Sequence, residues 1–312
     1  MNPPSVSIIL PTLNGACHLR ELLPAIATQN YQGDVEIVAI DSESSDDSAA
    51  LLRSHGALVV SIPQKEFGHG RTRNHGVSLA GGQIVVFLSQ DALPVGSDWL
   101  RRLVAPLQNE TIGATFARQL PRRGATPFER HAAAEIYPAR SRLYRLQAGR
   151  AIELQKLFFS NVCSAARREI CTRFPFDESL IMSEDQFFAR DLLLGGYQIH
   201  YNASAKVVHS HHYDLRALWK RHFDSGASLH TLGAEKWHRR ARFAARFLAR
   251  ELLFVARENP GWLLFWPCYE GTRILALLVG GQAHRFPLKW NRNLGLHRHF
   301  WRFDGDETGS KP

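Results

Sequence analysis

Cysteine is scarce in this sequence, with four residues in a chain of 312. Cys17, Cys163, Cys171 and Cys268 are scattered without a Cys-x-x-Cys spacing, so neither a disulfide framework nor a zinc knuckle is predicted. Residues 1–15 also lack the basic and long apolar regions of a secretory signal peptide. Both features lead us to expect a protein that works in a reducing cytoplasm.

Long apolar runs are also rare, and one segment, 262–281, approaches the length of a membrane span. Pro267, Glu270, Gly271 and Arg273 lie in its middle. A charged side chain at the centre of a bilayer costs about 2.5–3.5 kcal/mol on insertion scales. We therefore predict two short helices here, either buried in the protein or lying in a membrane interface.

The formal net charge of +9 comes from one part of the chain. Residues 1–215 hold 21 basic and 21 acidic residues, whereas 216–312 hold 17 basic and 8 acidic residues and six of the seven tryptophans. Basic residues mixed with tryptophan are typical of a surface that docks on an anionic membrane. Formation of a homo-oligomer is the alternative role for this region, and nucleic acid is not expected as a partner. We predict a domain boundary near 215, followed by a basic, Trp-rich helical region.

Short apolar strands and helices alternate over the first hundred residues. The predicted strands are 5–10, 34–40, 57–62 and 83–88, and the predicted helices are 17–29, 41–56, 70–82 and 96–107. Such alternation with short connections predicts an α/β fold with a doubly wound, mostly parallel sheet. Ligands bind at the carboxyl ends of the strands in these sheets, and Thr12, Asp41 and Asp91 lie at such ends.

The alternation breaks after about residue 108. We predict a basic helical stretch over 125–150, a strand and then a helix within 156–169, and helices at roughly 214–230 and 233–258. Between them, Ser183 is expected to cap a helix that carries Glu184 and Asp185 in its first turn. Acids at a helix start are common, because they interact favourably with the helix dipole. The pattern is therefore compatible with a structural role or a catalytic role for Glu184 and Asp185.

The segment FGHGRTRNHG (67–76) looks like a phosphate-binding loop of no standard type. Gly68 and Gly70 are followed by Arg73 where a dinucleotide fingerprint needs glycine, and no Gly-Lys-Ser/Thr follows. Glycines that lead into a helix, with Arg71 and Arg73 in its first turn, are suited to a diphosphate. Solvated arginines after a glycine turn are the equally weighted alternative.

The segment VVHSHHY (207–213) contains a cluster of three histidines. In an extended chain His209 and His211 share one face, because side chains alternate between the two faces. This arrangement is compatible with a metal site, although packed or surface histidines are the more frequent outcome in a basic protein. A zinc finger is excluded by the lack of paired cysteines.

The order of these signals resembles the GT-A fold of the family 2 glycosyltransferases, and within it the rhamnosyltransferase-like bacterial members. The resemblance covers about residues 5–230. The matching segments are SIILPTLNG (7–15), AIDSESSDDS (39–48), EFGHGRTRNHG (66–76), FLSQDALP (87–94), FFSNVCSA (158–165), SEDQFFARDLLLGGYQIHY (183–201) and VVHSHHYDL (207–215).

The resemblance implies an inverting transfer of a sugar from a nucleoside diphosphate to an acceptor hydroxyl, with a divalent metal, Mg²⁺ or Mn²⁺, on the diphosphate. The family's Asp-x-Asp metal motif matches Ser89, Gln90 and Asp91, so one carboxylate remains. A hard cation then needs further ligands. The later histidine of the family matches His209, with His211 as the alternative.

The resemblance also assigns the remaining site residues. Asp185 matches the catalytic base, and Glu184 is expected to orient the acceptor or support the base. Asp41 matches the acid that accepts a hydrogen bond from the N3–H of a uracil or thymine ring. The other positions implied to bind the nucleotide sugar are Thr12, Asn14, Gly70, Arg73, Gln90 and Asp91.

The subgroup implies dTDP-rhamnose as donor, with a UDP-sugar such as UDP-galactose or UDP-N-acetylglucosamine as the alternative. The expected acceptor is a lipid-linked glycan or polysaccharide of the O-antigen type. The expected location is the cytoplasm, with peripheral association at the inner face of the cell membrane. A non-catalytic protein that binds a nucleotide or a glycan stays open as a further alternative, because Ser89 replaces the first acid of the metal motif.

Overall fold

The computed structural model describes residues 3–146, 158–230 and 237–301. The first third of the chain alternates strands and helices as the sequence predicts. Its elements in chain order are β1 (Val6–Thr12), α1 (Ala16–Ala27), β2 (Val35–Asp41), α2 (Ser48–Ser54), β3 (Leu58–Ser61), α3 (His69–Leu79) and β4 (Ile84–Leu88). The four strands are parallel in the order β3-β2-β1-β4, and Thr12 at the end of β1 pairs with Asp41 at the end of β2.

The middle of the chain extends this sheet with strands of both directions. Its elements are β5 (Leu93–Pro94), α4 (Trp99–Val104), β6 (Ile112–Leu120), α5 (Pro127–Ile136), β7 (Arg142–Tyr144), β8 (Cys163–Arg167), α6 (Arg168–Arg173), α7 (Glu184–Leu194) and β9 (Gln198–Val208). The order continues β4-β8-β6-β9-β5, with β7 also paired to β9. β8 is antiparallel to both of its neighbours, β6 and β9 are parallel, and β5 and β7 are antiparallel to β9. The predicted α/β fold is confirmed, and its second half is a mixed sheet.

The prediction of a helical stretch over 125–150 is wrong in its second part. Helix α5 ends at Ile136, and Arg142–Tyr144 forms β7, in which Leu143 pairs with His200 of β9. Residues 147–150 lie outside the described residues. Pairing with β9, which is distant in the sequence, gives Arg142–Tyr144 its strand conformation. Tertiary contacts of this kind commonly override a local helical propensity.

The sheet separates two apolar layers. Ile8 and Leu10 of β1 pack on one face with Leu19 of α1 and Trp99 of α4. Ile9 points to the other face and belongs to a second cluster that includes helices α3 and α7. Because β1 is buried on both faces, it reads as a continuous apolar run in the sequence.

The last part of the chain is helical. Its elements are α8 (Leu215–His230), α9 (Trp237–Glu258), α10 (Trp266–Gly280) and α11 (Leu288–Leu294). The prediction of two short helices over 262–281 is corrected: a 3-10 turn at Pro260–Leu264 precedes one fifteen-residue helix, with Pro267 in its first turn. Proline is tolerated there because the first N–H groups of a helix have no intrahelical acceptor.

Helices α8 and α10 cross at close range. A Cβ atom at Gly226 would collide with the backbone of Leu277, and one at Gly280 would collide with the backbone of Phe223. Within the three described ranges, no helix is long and apolar enough to cross a membrane.

The described residues after 215 contact the α/β part directly. Arg130 of α5 forms an ion pair with Glu258 of α9 at 2.9 Å. The rings of Phe128 and Tyr269 stack with their centroids 4.3 Å apart. The domain boundary near 215 stays a prediction. These contacts show that the C-terminal helices pack against α5 of the α/β part.

Candidate active site

A buried carboxylate lies at the carboxyl edge of the parallel strands. Asp41 at the end of β2 is 3% exposed, beside the buried Thr12 of β1. Its Oδ2 atom accepts a hydrogen bond from the backbone N–H of Ser44 at 3.1 Å, whereas its Oδ1 atom has no partner. Buried acceptors are normally satisfied, so a ligand that brings an N–H or O–H donor to Oδ1 would complete this site.

Asn14 and Gln90 hold the loop after β1 in place. The Oδ1 atom of Asn14 accepts a hydrogen bond from the backbone N–H of Ser45 at 2.8 Å. The Gln90 amide makes two hydrogen bonds with the backbone of Leu13, accepting from its N–H and donating to its carbonyl, each at 3.0 Å. Both predicted nucleotide-binding side chains therefore shape the loop next to Asp41.

Asp91 meets the two predicted histidines. The Oδ2 atom of Asp91 lies 3.5 Å from Nε2 of His209 and 3.6 Å from Nδ1 of His211. One ligand atom from each residue falls within 4.8 Å of the others. One carboxylate and two imidazoles at this spacing are a donor set that a divalent cation can occupy. The third histidine, His212, is exposed and lies outside this group.

A glutamine on β6 orients His209. The Nδ1 atom of His209 lies 2.9 Å from Oε1 of Gln119, and the Gln119 amide donates to the Ser160 hydroxyl at 3.1 Å. Since a carbonyl oxygen only accepts, Nδ1 carries the proton and the Nε2 lone pair faces Asp91. This arrangement is typical of histidines that bind metal. The sequence analysis missed Gln119, because no local pattern distinguishes it from other polar residues of a strand.

Burial keeps this histidine pair neutral. Desolvation lowers the pKa of His209 to about 4, although the Asp91 carboxylate opposes the shift, and burial also lowers the pKa of His211. The positive charges of Arg122 and Arg221 act in the same direction. Metal ligation requires a neutral imidazole, so the protonation state suits the donor set.

Two arginines that the sequence analysis missed bring positive charge to the cluster. Arg122, just after β6, donates from Nη2 to the Asp91 carbonyl at 2.5 Å. Arg221 comes from α8 in the C-terminal region, and its guanidinium lies 5.6 Å from the ring centroid of Tyr213. A cleft with this excess of positive charge attracts anions such as a diphosphate.

A second set of charges surrounds the start of α7. Nη1 of Arg73 donates to Oε1 of Glu184 at 2.8 Å and to the carbonyl of His69 at 3.0 Å, and both members of the ion pair are buried. The amide of Asn161 approaches the same Glu184 oxygen at 3.4 Å. The predicted contact of Arg73 with the nucleotide stays a prediction, and the structure shows that its guanidinium pairs with Glu184.

Asp185 lies next to this pair and is partly accessible. Its Oδ2 atom accepts from the backbone N–H of Asn161 at 3.4 Å, and its Oδ1 atom accepts from the N–H of Gln186 at 2.9 Å. Burial and the neighbouring Glu184 carboxylate raise the pKa of Asp185 to about 7, against the opposing charge of Arg73. A carboxyl group with a pKa near neutrality is suited to general base catalysis.

The prediction that Ser183 caps α7 is wrong. Ser183 occupies the position before the helix, but its backbone is left-handed (φ 66°) and its side chain makes no capping hydrogen bond. The predicted contact of Gly70 with the nucleotide sugar stays a prediction, and a Cβ atom at Gly70 would lie 2.6 Å from the carbonyl oxygen of Asp177. The absence of a side chain at Gly70 therefore allows α3 to pack closely against the backbone of Asp177.

Two sets of hydrogen bonds, joined through the backbone of Ser160 and Asn161, link the two halves of the site. The first runs from His209 through Gln119 to Ser160, and the next residue, Asn161, contacts both Glu184 and Asp185. Ser160 and Asn161 precede β8 within the segment FFSNVCSA, where two polar residues interrupt an apolar run. That interruption is the sequence signal by which these two residues could have been found.

Known proteins are similar to this chain in sequence and in architecture. The family model described as Glycosyl transferase family 2 matches residues 7–174. The O-antigen chain rhamnosyltransferase RfbN of Salmonella typhimurium is 29% identical over 304 residues, covering 95% of this chain and 96% of that protein. The O-antigen chain rhamnosyltransferase WbaN of Salmonella anatum is also 29% identical, with 96% of each chain covered. These relatives confirm the predicted likeness to bacterial rhamnosyltransferases.

Solved structures agree on the fold. The mannosyltransferase PcManGT from Pyrobaculum calidifontis, in complex with GDP-Man and Mn²⁺, has a TM-score of 0.58 at 19% identity, covering 92% of this chain and 88% of that chain. Residues 1–349 of S. aureus TarS give a TM-score of 0.52 at 17% identity, covering 95% of this chain and 89% of that chain. The predicted GT-A fold is thereby confirmed. The chain is an enzyme that belongs to glycosyl transferase family 2.

Proposed function

We propose that this enzyme is an inverting rhamnosyltransferase that moves L-rhamnose from dTDP-L-rhamnose to a hydroxyl of a lipid-linked or polysaccharide acceptor. The observation that carries the proposal is the link between the cluster of Asp91, His209 and His211 and the carboxylate of Asp185. Gln119 and the Ser160–Asn161 segment form this link. A group able to hold the leaving diphosphate and a group able to take the acceptor proton are thereby part of one rigid site.

The choice of nucleotide is supported by Asp41 and by the relatives. The unpartnered Oδ1 atom of Asp41 is suited to accept a hydrogen bond from the N3–H of a thymine or uracil ring. The two Salmonella relatives, which match almost the whole chain, are named as rhamnosyltransferases. Together these observations favour a pyrimidine diphosphate and, within that class, dTDP-L-rhamnose.

Asp185 acts as the general base. Its carboxylate accepts the proton of the acceptor hydroxyl as the hydroxyl oxygen forms a bond to the anomeric carbon, and the bond from that carbon to the diphosphate oxygen breaks on the opposite face. The buried pair of Arg73 and Glu184 fixes the start of α7 and so the direction of the Asp185 side chain. A raised pKa leaves this carboxylate basic enough to hold the proton.

Asp91, His209 and His211 fit a divalent cation, because their ligand atoms converge and Gln119 fixes the His209 proton on Nδ1. When bound there, Mg²⁺ or Mn²⁺ would neutralise the negative charge that develops on the departing diphosphate. The chain's own contribution is the charge of Arg122 and Arg221, which attracts the donor to the same cluster.

The acceptor is expected at the inner face of the cell membrane, where a cytoplasmic enzyme meets lipid-linked glycans. The C-terminal region exposes large apolar side chains on neighbouring helices, among them Leu253, Leu275 and Leu278, and Leu264 is 91% exposed. Together with the basic surplus of 216–312, these exposed apolar side chains support peripheral docking on anionic lipid.

The experiment that tests the proposal is a donor panel. The purified chain is incubated with Mn²⁺, a bacterial membrane extract that supplies lipid-linked glycan acceptors, and dTDP-L-rhamnose, UDP-galactose or UDP-N-acetylglucosamine. The release of free nucleoside diphosphate that depends on the extract is measured. We expect dTDP release to exceed UDP release from either alternative donor by at least about tenfold. Faster turnover of a UDP-sugar would overturn the donor assignment, and no turnover of dTDP-L-rhamnose would overturn the proposed function.

A further inference from the structure

A cavity of about 320 Å³ opens between the start of α5, the segment after β9 and the start of α10. Tyr213 lines it, and the ring centroid of Tyr213 lies 5.3 Å from that of the candidate metal ligand His211. β6 and β9, which lead into two of its walls, lie on the other side of β4 from β2 and Asp41. The cavity therefore approaches the reaction centre from the side opposite to the nucleotide pocket.

One wall of this cavity is aromatic. Phe128 is 1% exposed and packs edge-to-face against Trp262, with their ring centroids 5.6 Å apart, while Tyr269 stacks on its face. Phe265 continues the wall next to Trp262, at 6.0 Å between centroids, and stays 37% exposed. The buried rings hold the accessible ones in position, so the wall presents a preformed apolar surface.

The other wall carries hydrogen-bonding groups. The Oε2 atom of Glu129 accepts from the backbone N–H of Thr126 at 2.6 Å, whereas its Oε1 atom is shielded from water and has no hydrogen-bond partner. His212 and Asp214 line the same cavity and are exposed. Two carboxylates, one of which has an unpartnered oxygen, call for a ligand that brings hydroxyl donors.

We propose that this cavity binds a sugar residue of the acceptor glycan, adjacent to the residue whose hydroxyl reacts. A pyranose has an apolar C–H face that packs on aromatic rings and hydroxyl groups that donate to carboxylates such as Glu129. A hydrocarbon chain would leave the Glu129 oxygen unsatisfied, and a phosphate would be repelled by Glu129 and Asp214. The inference rests on the proposed function, because it takes the transferase acceptor to be a glycan.

The test measures the binding of methyl glycosides to the full chain by saturation-transfer NMR. The probes are the methyl glycosides of rhamnose, galactose, mannose, glucose and N-acetylglucosamine, with geranyl diphosphate as the lipid probe. The variants are Glu129→Gln, which keeps an acceptor for the Thr126 N–H, and Phe265→Ala. Phe300→Ala is the matched control, since Phe300 is 38% exposed and lies outside the cavity.

We expect at least one glycoside to bind the wild type, also when dTDP saturates the enzyme, and to bind Glu129→Gln and Phe265→Ala about tenfold more weakly. Phe300→Ala should bind this glycoside as the wild type does. The Kd for dTDP should be equal in the wild type and the three variants, and an equal Kd also indicates that the variants are correctly folded. Absence of glycoside binding, competition by dTDP, or wild-type binding by both variants would overturn the inference. Selective loss of geranyl diphosphate in Phe265→Ala, without glycoside binding, would assign the cavity to lipid instead.

The two proposals fail in different ways. If the proposed function is wrong, dTDP-L-rhamnose is not the preferred donor or is not turned over, whereas glycoside binding persists. If the acceptor cavity is wrong, dTDP-L-rhamnose is turned over although none of the methyl glycosides binds in the cavity.

Discussion

The hydrogen bond from His209 to Gln119 should control the affinity of the site for metal. Gln119→Leu removes the acceptor 2.9 Å from Nδ1 of His209 and the donor 3.1 Å from the Ser160 hydroxyl, both in a buried setting. The imidazole is then free to adopt the tautomer that places the proton on Nε2. Loss of such a supporting partner weakens metal binding about 10–100-fold, which corresponds to about 1.4–2.8 kcal/mol.

Mn²⁺ binding is measured by the loss of the electron paramagnetic resonance signal of free Mn²⁺ in the presence of dTDP. In a separate assay, the rate of dTDP release from dTDP-L-rhamnose is measured as a function of the Mn²⁺ concentration. Excess Mn²⁺ should restore turnover in Gln119→Leu, and Gln119→Glu should keep near wild-type affinity because it retains an oxygen acceptor. Thr115→Val is the matched control, since Thr115 lies buried on the same strand and its hydroxyl has no partner. Unchanged Mn²⁺ affinity in Gln119→Leu, or an equal loss in Thr115→Val, would refute the reasoning.

Of four further predictions, two concern the base, one the buried ion pair and one the membrane. Because the pKa of Asp185 is raised to about 7, dTDP release at saturating Mn²⁺ should fall about tenfold per pH unit below pH 7, and a flat rate between about pH 5 and 8 would exclude this base. The same shift makes the ionised Asp185 unfavourable in the folded chain, so calorimetry should find that Asp185→Asn raises the Tm at about pH 8 but not at about pH 4. In denaturant titrations, Arg73→Met should lower the free energy of unfolding by about 3–5 kcal/mol, because Glu184 is left buried and unpaired. The control Arg20→Ala, which breaks the exposed pair with Asp47, should lower it by less than about 1 kcal/mol. Equal losses in the two variants would contradict the burial argument. Leu264→Asp should reduce cosedimentation with phosphatidylglycerol vesicles, and wild-type sedimentation of this variant would count against docking through that surface.

The parallel half of the fold was predictable because its signals are local. Each strand of β1 to β4 is a short apolar run closed by a turn, and each following helix has its own periodicity. The same local reasoning failed at Arg142–Tyr144, where the strand exists only through its pairing with β9. It also divided 262–281 into two helices, although a proline such as Pro267 is compatible with the first turn of one helix.

The site was predictable where function requires a residue at a strand end or a helix start. The sequence identified Asp91, His209 and His211 as one group, and the structure brings their side chains together. Gln119 could not be found in this way, because its contact with His209 depends on the pairing of β6 with β9. The ion pair of Arg73 with Glu184 could not be predicted either, because Glu184 lies 111 residues away in the sequence.

The central claim is that Asp185 takes the proton of the acceptor, and one variant tests it most directly. Release of dTDP from dTDP-L-rhamnose is compared in wild type and Asp185→Asn at pH 8, alongside the Kd of each protein for dTDP. The account predicts that Asp185→Asn turns over about 10²–10⁴-fold more slowly with an unchanged Kd for dTDP. Turnover by Asp185→Asn at the wild-type rate would contradict it.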